Sequence, residues 1–569
     1  MFGSNRAKDA QEDQELNVKE KLAVAVAQAA SAAIEKGLLP KGELPEVFLE
    51  VPPEKAFGDF ATNFAMQAAR TLKSNPRKIA EAITSQMMLP WLEKTEIAGP
   101  GFINFYVKPD WLYDMLQSIL DQGESYGNTD FGKLRKIQVE FVSANPTGPL
   151  HVGHGRGAAF GSALSNLLTA AGFDVQKEFY INDAGNQIDN LAVSVEARYL
   201  ELLGQKVEFP EEGYHGRDII ETAQRIIDDS GSRYLLMAPA ERREIFKQFA
   251  LGEKLAALKE DLESFGVEFD VWFSERSLFE NDSVNAACRQ LREKGHAYDK
   301  DGAFWLRSTD FGDDKDRVII RDNGVPTYFA SDIAYHDNKF RRGFETVINI
   351  WGADHHGYIP RMKAAMAALG YEPERLEVLI LQMVSLYQGG ELVKMSKRTG
   401  QGVTLTELIE EVGRDAARYF FIRRSLDSQL DFDLDLAKSH SNENPVYYVQ
   451  YAHARIMSIL RQMTEAGIAF DAGDKAELSL LSTPFELDLI RKLGDYPEEV
   501  SAAARDRAPH RIARYSHELA GLFHSFYNAC RVLGVAPELT AARLALVTAT
   551  QRVLRHSLGI LGVAAPDKM

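Results

Sequence analysis

Two histidines, His151 and His154, lie where a predicted strand passes into a predicted helix. They flank Gly153, after a strand-like run at residues 137–142 and before a small-residue segment, 155–170, that predicts a helix. Backbone N–H groups and the helix dipole at such a turn favour a phosphate, and Gly153 lets the backbone approach a ligand closely. The turn alone predicts nucleotide binding only weakly, because two histidines at a helix start occur for other reasons.

A second pattern, Lys-Met-Ser-Lys at residues 394–397, lies far downstream in a loop rich in glycine and lysine, 388–400. Such a loop suits closure over phosphates. By itself it also has the composition of a charged hairpin in solvent. Because the histidine turn precedes it in the chain, the pair of motifs predicts a nucleotide site.

The two motifs in this order resemble the signature pair of class I aminoacyl-tRNA synthetases, and the flanking sequence is similar to the arginyl-tRNA synthetase family. The matching segments are residues 57–60, 139–149, 180–185, 328–332, 352–357 and 562–569. They are spread over nearly the whole chain. The resemblance is therefore to a complete protein and not to one shared domain.

The resemblance implies ATP-dependent ligation of L-arginine to tRNA(Arg) through an arginyl-adenylate, with release of AMP and pyrophosphate. ATP is then a co-substrate, expected with Mg²⁺, and no prosthetic group or resident metal is expected. Transfer at phosphorus needs positioning and charge stabilisation more than covalent catalysis. Two alternatives stay open: a catalytically inactive tRNA-binding regulator of the same fold, and another nucleotidyl-transferring enzyme. Neither is favoured, because the motif residues are intact and a small nucleotidylyltransferase has no use for the inserted or C-terminal regions.

The expected ATP site combines hydrogen-bond donors from the turn with cations from the loop. His151 and His154 would donate to ATP, while Lys394 and Lys397 would neutralise the pyrophosphate. Other members would add donors or contact the ribose and adenine. The predicted residues are His151, Gly153, His154, Gly352, Asp354, His355, Lys394, Ser396 and Lys397.

The arginine pocket should offer carboxylates and a flat surface, because a guanidinium is a planar fork of five donors. By resemblance, Glu140 and Asp332 receive the fork, Tyr328 packs on its plane, and Asn145 and His356 hold the α-amino and α-carboxylate groups. Tyr328 and Asp332 are four residues apart and share a face if helical. The alternative is that Glu140 is an exposed strand residue and Asp332 a helix cap.

Composition excludes several classes of protein. The 569 residues predict three or four domains, and 45% hydrophobic with 26% charged residues is ordinary for a globular protein. Cys288 and Cys530 are far apart in sequence, so we expect buried thiols in a reducing compartment and no zinc site. The apolar run 22–34 contains Gln28 and is too short for a membrane span. We therefore expect a cytoplasmic protein, and by resemblance a monomer.

The net charge of −17 disfavours nonspecific binding of polyanions. Residues 505–555 contrast with the rest, because they hold eight arginines, no lysine and three acids. Arginine pairs with phosphate and stacks on bases, so Arg507, Arg511 and Arg514 are candidate tRNA contacts. The alternative is a solvated helical face.

The pattern along the chain predicts a multidomain α/β protein. The N-terminal α+β domain is expected to contact tRNA, and the Rossmann-type catalytic domain is expected to contain a doubly wound parallel sheet and a helical insertion. A connector and a helical anticodon-binding bundle follow. The predicted bounds are 1–112, 133–400 with the insertion at about 190–308, 401–440 and 441–569.

Several finer elements are predicted from local pattern. Residues 47–51 and 376–384 are each expected to form one strand, and 405–424 one helix with a capping box from Thr404 and Glu407. The chain after residue 400 is expected to be wholly helical. The bundle helices are predicted at 444–463, 482–493, 510–532 and 541–561.

Overall fold

The computed structural model describes residues 18–52, 54–394, 402–470 and 476–569. Ser396 and Lys397 therefore lie outside the described residues. The chain divides into two compact units. The first contains residues 1–121, 471–494 and 535–546, and the second contains 122–470, 495–534 and 547–569.

The strands are numbered in chain order. They are β1 (Phe60–Thr62), β2 (Leu92–Ala98), β3 (Phe102–Val107), β4 (Lys136–Glu140), β5 (Asp174–Ile181), β6 (Val271–Ser274), β7 (Ala297–Lys300), β8 (Ala303–Leu306), β9 (Arg317–Ile320), β10 (Thr346–Gly352), β11 (Leu376–Leu381), β12 (Val384–Gln388), β13 (Glu391–Val393) and β14 (Leu430–Asp433).

The α-helices follow the same numbering. They are α1 (Val18–Glu35), α2 (Phe64–Ala68), α3 (Pro76–Thr84), α4 (Asp110–Gln122), α5 (Val152–Ala170), α6 (Asn186–Leu202), α7 (Arg217–Ser230), α8 (Pro239–Ser264), α9 (Arg276–Glu280), α10 (Ser283–Glu293), α11 (Tyr328–Arg341), α12 (Ile359–Leu369), α13 (Leu405–Val412), α14 (Arg414–Ile422), α15 (Leu434–Lys438), α16 (Pro445–Glu465), α17 (Pro484–Gly494), α18 (Tyr496–Arg505), α19 (His510–Ala529) and α20 (Pro537–Leu561).

The first unit packs helices on an antiparallel sheet of order β1-β3-β2. Helix α3 begins where the sequence indicates, because Pro76 occupies its first position and the Asn75 side chain accepts the Arg77 N–H. Its Ile79 and Ile83 are buried in the core. The strand predicted at 47–51 is wrong: in this segment only Glu50 pairs with the sheet, through an isolated bridge.

The second unit is built on a parallel sheet of order β11-β10-β4-β5-β6. From β4 the chain adds β5 and β6 on one side and later β10 and β11 on the other. Strand order thus reverses between β4 and β10, and ligands of doubly wound sheets bind outside the carboxyl ends of the strands at such a point. Helix α5 can pack closely after β4 because Gly161 lies against the Phe141 ring, where a Cβ would be 2.2 Å from ring carbon Cγ.

The segment predicted as a helical insertion is only partly separate from this sheet. Helices α6, α7 and α8 bury their own apolar cluster, but β6, from the same segment, is the edge strand of the main sheet. Four residues are too few to show a clear strand period. The sequence therefore could not separate this strand from the helices around it.

Three predicted elements around residues 376–433 need correction. The run 376–384 forms two strands in different sheets, because β12 leaves the parallel sheet and pairs with β13 and β14. The helix predicted at 405–424 breaks at Gly413, whose φ of 82° is unfavourable for other residues. Its capping box from Thr404 and Glu407 is confirmed. Strand β14 shows that the chain after residue 400 is not wholly helical.

The four predicted C-terminal helices are present as α16, α17, α19 and α20, with bounds shifted by a few residues. Helix α18 was not predicted. Contacts place α17 and residues 537–546 of α20 in the first unit, while α16, α18, α19 and the rest of α20 lie in the second.

Candidate active site

The turn before α5 is held by its own histidines. His151 caps the helix: its Nδ1 accepts the Gly153 N–H at 3.1 Å, and Nδ1 of His154 accepts the His151 N–H at 3.3 Å. The rings stack with centroids 3.7 Å apart. Because both Nδ1 atoms accept a hydrogen bond, the proton of each neutral imidazole lies on Nε2.

Both histidines are held neutral. Burial, with a smaller contribution from His151, lowers the pKa of His154 to about 4. Loss of hydration in the turn also lowers the pKa of His151. Gly153 leaves room for the His151 ring, since a Cβ would stand 3.0 Å from it. The turn therefore offers two Nε2–H donors, which suit hydrogen bonding to an anion without adding formal charge.

The chain returns to this turn directly after the lysine loop. Val152 N–H donates to the Val403 carbonyl, Leu405 N–H donates to the Leu150 carbonyl at 2.8 Å, and His151 pairs with Thr404 as an isolated bridge. Lys394 is exposed at the end of β13. The end of the lysine loop is thus anchored at the histidine turn, although residues 395–401 themselves are not described.

A cluster of carboxylates lies around Tyr180 at the carboxyl ends of the strands. Glu140 ends β4, Glu275 follows β6, and Asp332 lies in the second turn of α11. The charges of Glu275, Asp332 and Glu140 all contribute to raising the pKa of the Tyr180 phenol, although burial contributes most. The three carboxylates therefore lie together around Tyr180, and we call this group the carboxylate cleft. A group of carboxylates is what a guanidinium requires of a binding site.

Two of these carboxylates take up protons more readily than usual. Burial, and then the charges of Asp332 and Asp183, raise the pKa of Glu275 to about 7. Burial also raises the pKa of Asp332 to about 6, with a smaller contribution from Glu140, although Tyr358 donates to its Oδ2 at 2.5 Å. Mutual repulsion of this kind is relieved when a cation binds.

The backbone after β4 is strained beside this cleft. Val142 and Ser143 have φ of 68° and 39°, a region that L-residues rarely adopt. Ser143 Oγ donates to Glu140 at 2.9 Å, and Asn145 contacts Asn182 at 3.2 Å. The alternatives for Glu140 and Asp332 do not hold, because Glu140 is buried and Asp332 lies within α11.

The remaining predicted residues of the site are solvent-accessible. Tyr328 is 59% exposed one turn before Asp332. Gly352 ends β10, and Asp354, His355 and His356 follow it in an exposed turn, where His355 Nδ1 lies 3.1 Å from Asp354 Oδ1. The arrangement leaves polar groups at the switch point open to ligands.

Comparison with known families agrees with this geometry. The family model "tRNA synthetases class I (R), catalytic domain" matches residues 115–429. "Arginyl tRNA synthetase N terminal domain" matches 17–107, and "DALR anticodon binding domain" matches 449–569. The chain belongs to the arginyl-tRNA synthetase family. The resemblance in sequence is thereby confirmed, as is the predicted fold class.

Individual relatives of this family cover almost the whole chain. The arginine–tRNA ligase of Carboxydothermus hydrogenoformans is 58% identical over 95% of this chain and 97% of its own. The arginine–tRNA ligase of Geobacillus kaustophilus is 55% identical over 97% of this chain and 99% of its own. The solved arginyl-tRNA synthetase of Thermus thermophilus has a TM-score of 0.74 at 23% identity, covering 97% of this chain and all of its own, and so shows a common fold.

Arginyl-tRNA synthetases need arginine recognition, and residues not singled out from the sequence contribute to the carboxylate cleft here. Glu275 is only 4% exposed, and Tyr358 is bonded to Asp332. Asp183 accepts hydrogen bonds from Ser274 Oγ and the Arg276 N–H. A signal existed for Asp183, which lies in the matching segment 180–185. None existed for Glu275, because nothing marked the short β6 that positions it.

The three predicted tRNA contacts differ in their surroundings. Arg507 pairs bidentately with Glu377 at 2.9 Å, and Arg511 pairs with Glu499 and Asp506. Their side chains are 15% and 27% exposed, against 68% for Arg514, whose Nε is 3.7 Å from Glu518. Of the three, only Arg514 has a side chain that is mostly exposed.

A row of aromatic side chains was not singled out from the sequence. Ring pairs His440–Tyr447, Tyr447–Tyr451 and Tyr451–His524 stack with centroids 5.6, 5.9 and 6.0 Å apart. Arg455 lies 4.6 Å over Tyr451. We call His440, Tyr447, Tyr451 and His524 the aromatic row. All four are exposed or partly exposed.

Proposed function

We propose that the neutral histidine pair and the lysines of residues 394–397 stabilise the phosphates of ATP, while the carboxylate cleft binds the side chain of arginine. As a member of its family the protein is a class I arginine–tRNA ligase. One observation supports these roles. The histidine turn, which offers two N–H donors, and the carboxylate cleft, in which Glu275 and Asp332 have raised pKa values, both follow strands of the same sheet at its switch point.

In the first step an oxygen of the arginine α-carboxylate attacks the α-phosphorus of ATP, and the bond to pyrophosphate breaks. Negative charge builds on the phosphate oxygens as this occurs. Nε2–H of His151 and of His154 would donate to those oxygens, because their Nδ1 atoms are already occupied. Lys394 and Lys397 would neutralise the leaving pyrophosphate, and Ser396 would add a donor.

Arginine is recognised by charge and shape. Asp332, with Glu140 and Glu275 beside it, would receive the guanidinium fork, and Tyr328 would cover its plane. Asn145 and His356 would hold the α-amino and α-carboxylate groups. The raised pKa values of Asp332 and Glu275 support this role, since a ligand cation would relieve their repulsion.

Gly352, Asp354 and His355 would contact the ribose and adenine of ATP, because they follow β10 at the switch point. Mg²⁺ is proposed to arrive on the phosphates of ATP. Within the described part of the chain no group of three or more histidine, cysteine or acidic side chains is arranged to hold a metal.

We propose that the aromatic row and Arg514 contact the anticodon arm. Stacking of bases on aromatic rings is the usual means of reading unstacked RNA. Arg514 lies on the same face of α19 as His517 and His524, at spacings of three and ten residues. For Arg507 and Arg511, whose guanidiniums are engaged within the chain, an RNA contact requires those ion pairs to open.

The N-terminal domain is proposed to contact tRNA as well, and the protein is proposed to act as a monomer in the cytoplasm. Among the helices that the structure describes, none has the length and apolarity needed to cross a membrane.

The arginine site is tested by Asp332→Asn and Glu275→Gln in ATP–pyrophosphate exchange with total tRNA present. Each removes a charged acceptor, worth about 2–4 kcal/mol when desolvated, so the KM for arginine should rise far more than that for ATP. Glu377→Gln is the control, because Glu377 pairs with Arg507 and not with a ligand. Equal rises for both substrates would place the two residues outside the side-chain pocket.

A further inference from the structure

Helix α11 carries a fully buried lysine behind the carboxylate cleft. The Lys339 side chain has no exposed surface, and its Nζ lies 2.5 Å from Glu140 Oε2 and 2.9 Å from Asn349 Oδ1. Its ammonium also lies 4.2 Å from the centroid of the Tyr335 ring. A buried ammonium is tolerated only with such partners, and a buried ion pair is weak evidence for a purely stabilising role.

Lys339 helps to orient the carboxylate of Glu140. Ser143 Oγ donates to Oε1 at 2.9 Å while Lys339 donates to Oε2, so both oxygens are held by short hydrogen bonds. Each carboxylate oxygen can accept a second donor. Glu140 therefore stays able to receive a guanidinium while its orientation is set from behind.

The same lysine is connected to the backbone of the predicted pocket. Asn349, which accepts from Lys339, contacts His336 Nε2 at 2.6 Å. The other ring nitrogen of His336 lies 2.7 Å from the carbonyl oxygen of Asp332. A continuous polar chain thus runs from Glu140 through Lys339 to the residue that is proposed to bind the guanidinium.

A second ion pair, at the end of this helix, joins a partly exposed arginine to a buried carboxylate and gives a comparison. Arg342, directly after α11, donates to both oxygens of the buried Glu178 at 2.6 and 2.9 Å, and Tyr335 adds a third donor. Glu178 on β5 lies opposite Glu140 on β4. The Glu140 charge contributes to the raised pKa of Asp332, and the polar chain from Lys339 reaches the Asp332 carbonyl. The Lys339 pair is therefore the one linked to the cleft by these contacts.

We propose that Lys339 is a positioning residue for arginine selection, which holds the Glu140 carboxylate in the orientation that receives the guanidinium together with Asp332 and Glu275. The inference rests on the proposed arginine site. Without the ammonium, Glu140 Oε2 would lose the donor behind it and the carboxylate would turn away. The cleft would then lose part of its preference for a cationic side chain.

The test compares full-length Lys339→Met with the control Arg342→Met in ATP–pyrophosphate exchange, with total tRNA present. For Lys339→Met we expect the KM for arginine to rise about tenfold or more and the KM for ATP to change less than about threefold. Competition by citrulline, the neutral analogue of arginine, should become relatively stronger. Arg342→Met should lower the melting temperature and leave the KM for arginine within about threefold.

The inference is overturned if both variants raise the KM for arginine equally, or if Lys339→Met leaves it unchanged. Should Lys339→Met fail to fold, the double variant Glu140→Gln/Lys339→Met leaves no buried charge unpaired. It should fold and show the same KM for arginine as Glu140→Gln alone, because Lys339 is proposed to act through Glu140. A further rise above the single variant would refute the role. Asp332→Asn separates the two proposals: if it raises the KM for arginine while Lys339→Met does not, the site stands and only the role of Lys339 fails.

Discussion

Charged side chains at the ends of the sheet strands and those on helices α18 and α19 have opposite surroundings. Around Tyr180, Glu275 and Asp332 gather with other carboxylates, and their pKa values are raised. By contrast, Arg511 of α19 and Arg507, which lies between α18 and α19, form ion pairs with carboxylates of the same chain. A cluster of like charges predicts a ligand of the opposite sign. Charges that already form ion pairs within the chain do not predict one.

The difference also limits what composition can predict. Residues 505–555 hold eight arginines, no lysine and three acids, yet Arg507 and Arg511 in this segment are paired with acidic side chains. The acids around Tyr180 come from separate strands and produce no charge run in the sequence. An excess of one charge along a segment is therefore a poorer guide to a binding surface than a cluster of like charges in the folded structure.

The largest effect should come from the turn beside the carboxylate cleft. His151→Ala and His154→Ala are each expected to lower kcat for arginyl-adenylate formation by about 10² or more, because a preorganised donor to developing phosphate charge is lost. Single-turnover adenylate formation measures this. His215→Ala, an exposed histidine in the insertion, is the control. Parental turnover in either active-site variant would show that the histidines only cap α5.

A smaller effect should follow from a change of pH. It tests whether the carboxylates of the empty cleft repel one another. The folded, empty protein holds protons on Glu275 and Asp332 at pH values where the unfolded chain releases them. These groups therefore stabilise the empty protein at low pH, and that contribution is lost as pH rises through about 6 to about 7.

Under the proposed arginine site, arginine binds the ionised forms of Glu275 and Asp332. Its KM should then rise about tenfold or more from pH 8 to pH 6, while the KM for ATP changes less. Initial rates of exchange across this range measure both constants. Asp332→Asn should flatten the profile for arginine. A KM for arginine that is independent of pH would contradict the shared, repelling cleft.

The smallest effect concerns the helices. Arg514→Glu is expected to weaken tRNA binding severalfold, because one phosphate contact is lost. The salt slope, which is the slope of log affinity against log salt concentration, should fall in magnitude by about one. Arg511→Glu should instead lower the free energy of unfolding by about 1 kcal/mol. Filter binding across a salt series and denaturant unfolding measure these two quantities. If Arg511→Glu reduces the salt slope as much as Arg514→Glu does, paired and exposed arginines do not differ in the way proposed.

Much of the catalytic fold could be predicted because its signals are local. Apolar strands such as β4 and β5, the small-residue helix α5 and the capping box of Thr404 are each determined by residues close in the chain. Tyr328 and Asp332 could be placed on one helical face for the same reason. Their membership of an arginine site came from family resemblance.

The errors arose where distant residues decide the structure. The continuous apolar run 376–384 carries no mark of the point at which β11 leaves one sheet and β12 enters another, because each strand chooses its sheet by its partners. Strand β6 could not be recognised either, because it is defined by its pairing with β5. Glu275 could not be identified before the position of that strand was known.

By itself, the sequence determined the family, the two motifs that mark the nucleotide site and most of the elements that carry them, because these depend on residue type and near spacing. Only the tertiary structure decided which charges meet. Arg507 pairs with Glu377, which is 130 positions away in the chain, and Lys339 pairs with Glu140, which is 199 positions away. Glu275 lies in the cleft because the strand before it pairs with β5. Electrostatic interactions depend on distance and burial in space, and neither is fixed by separation along the chain.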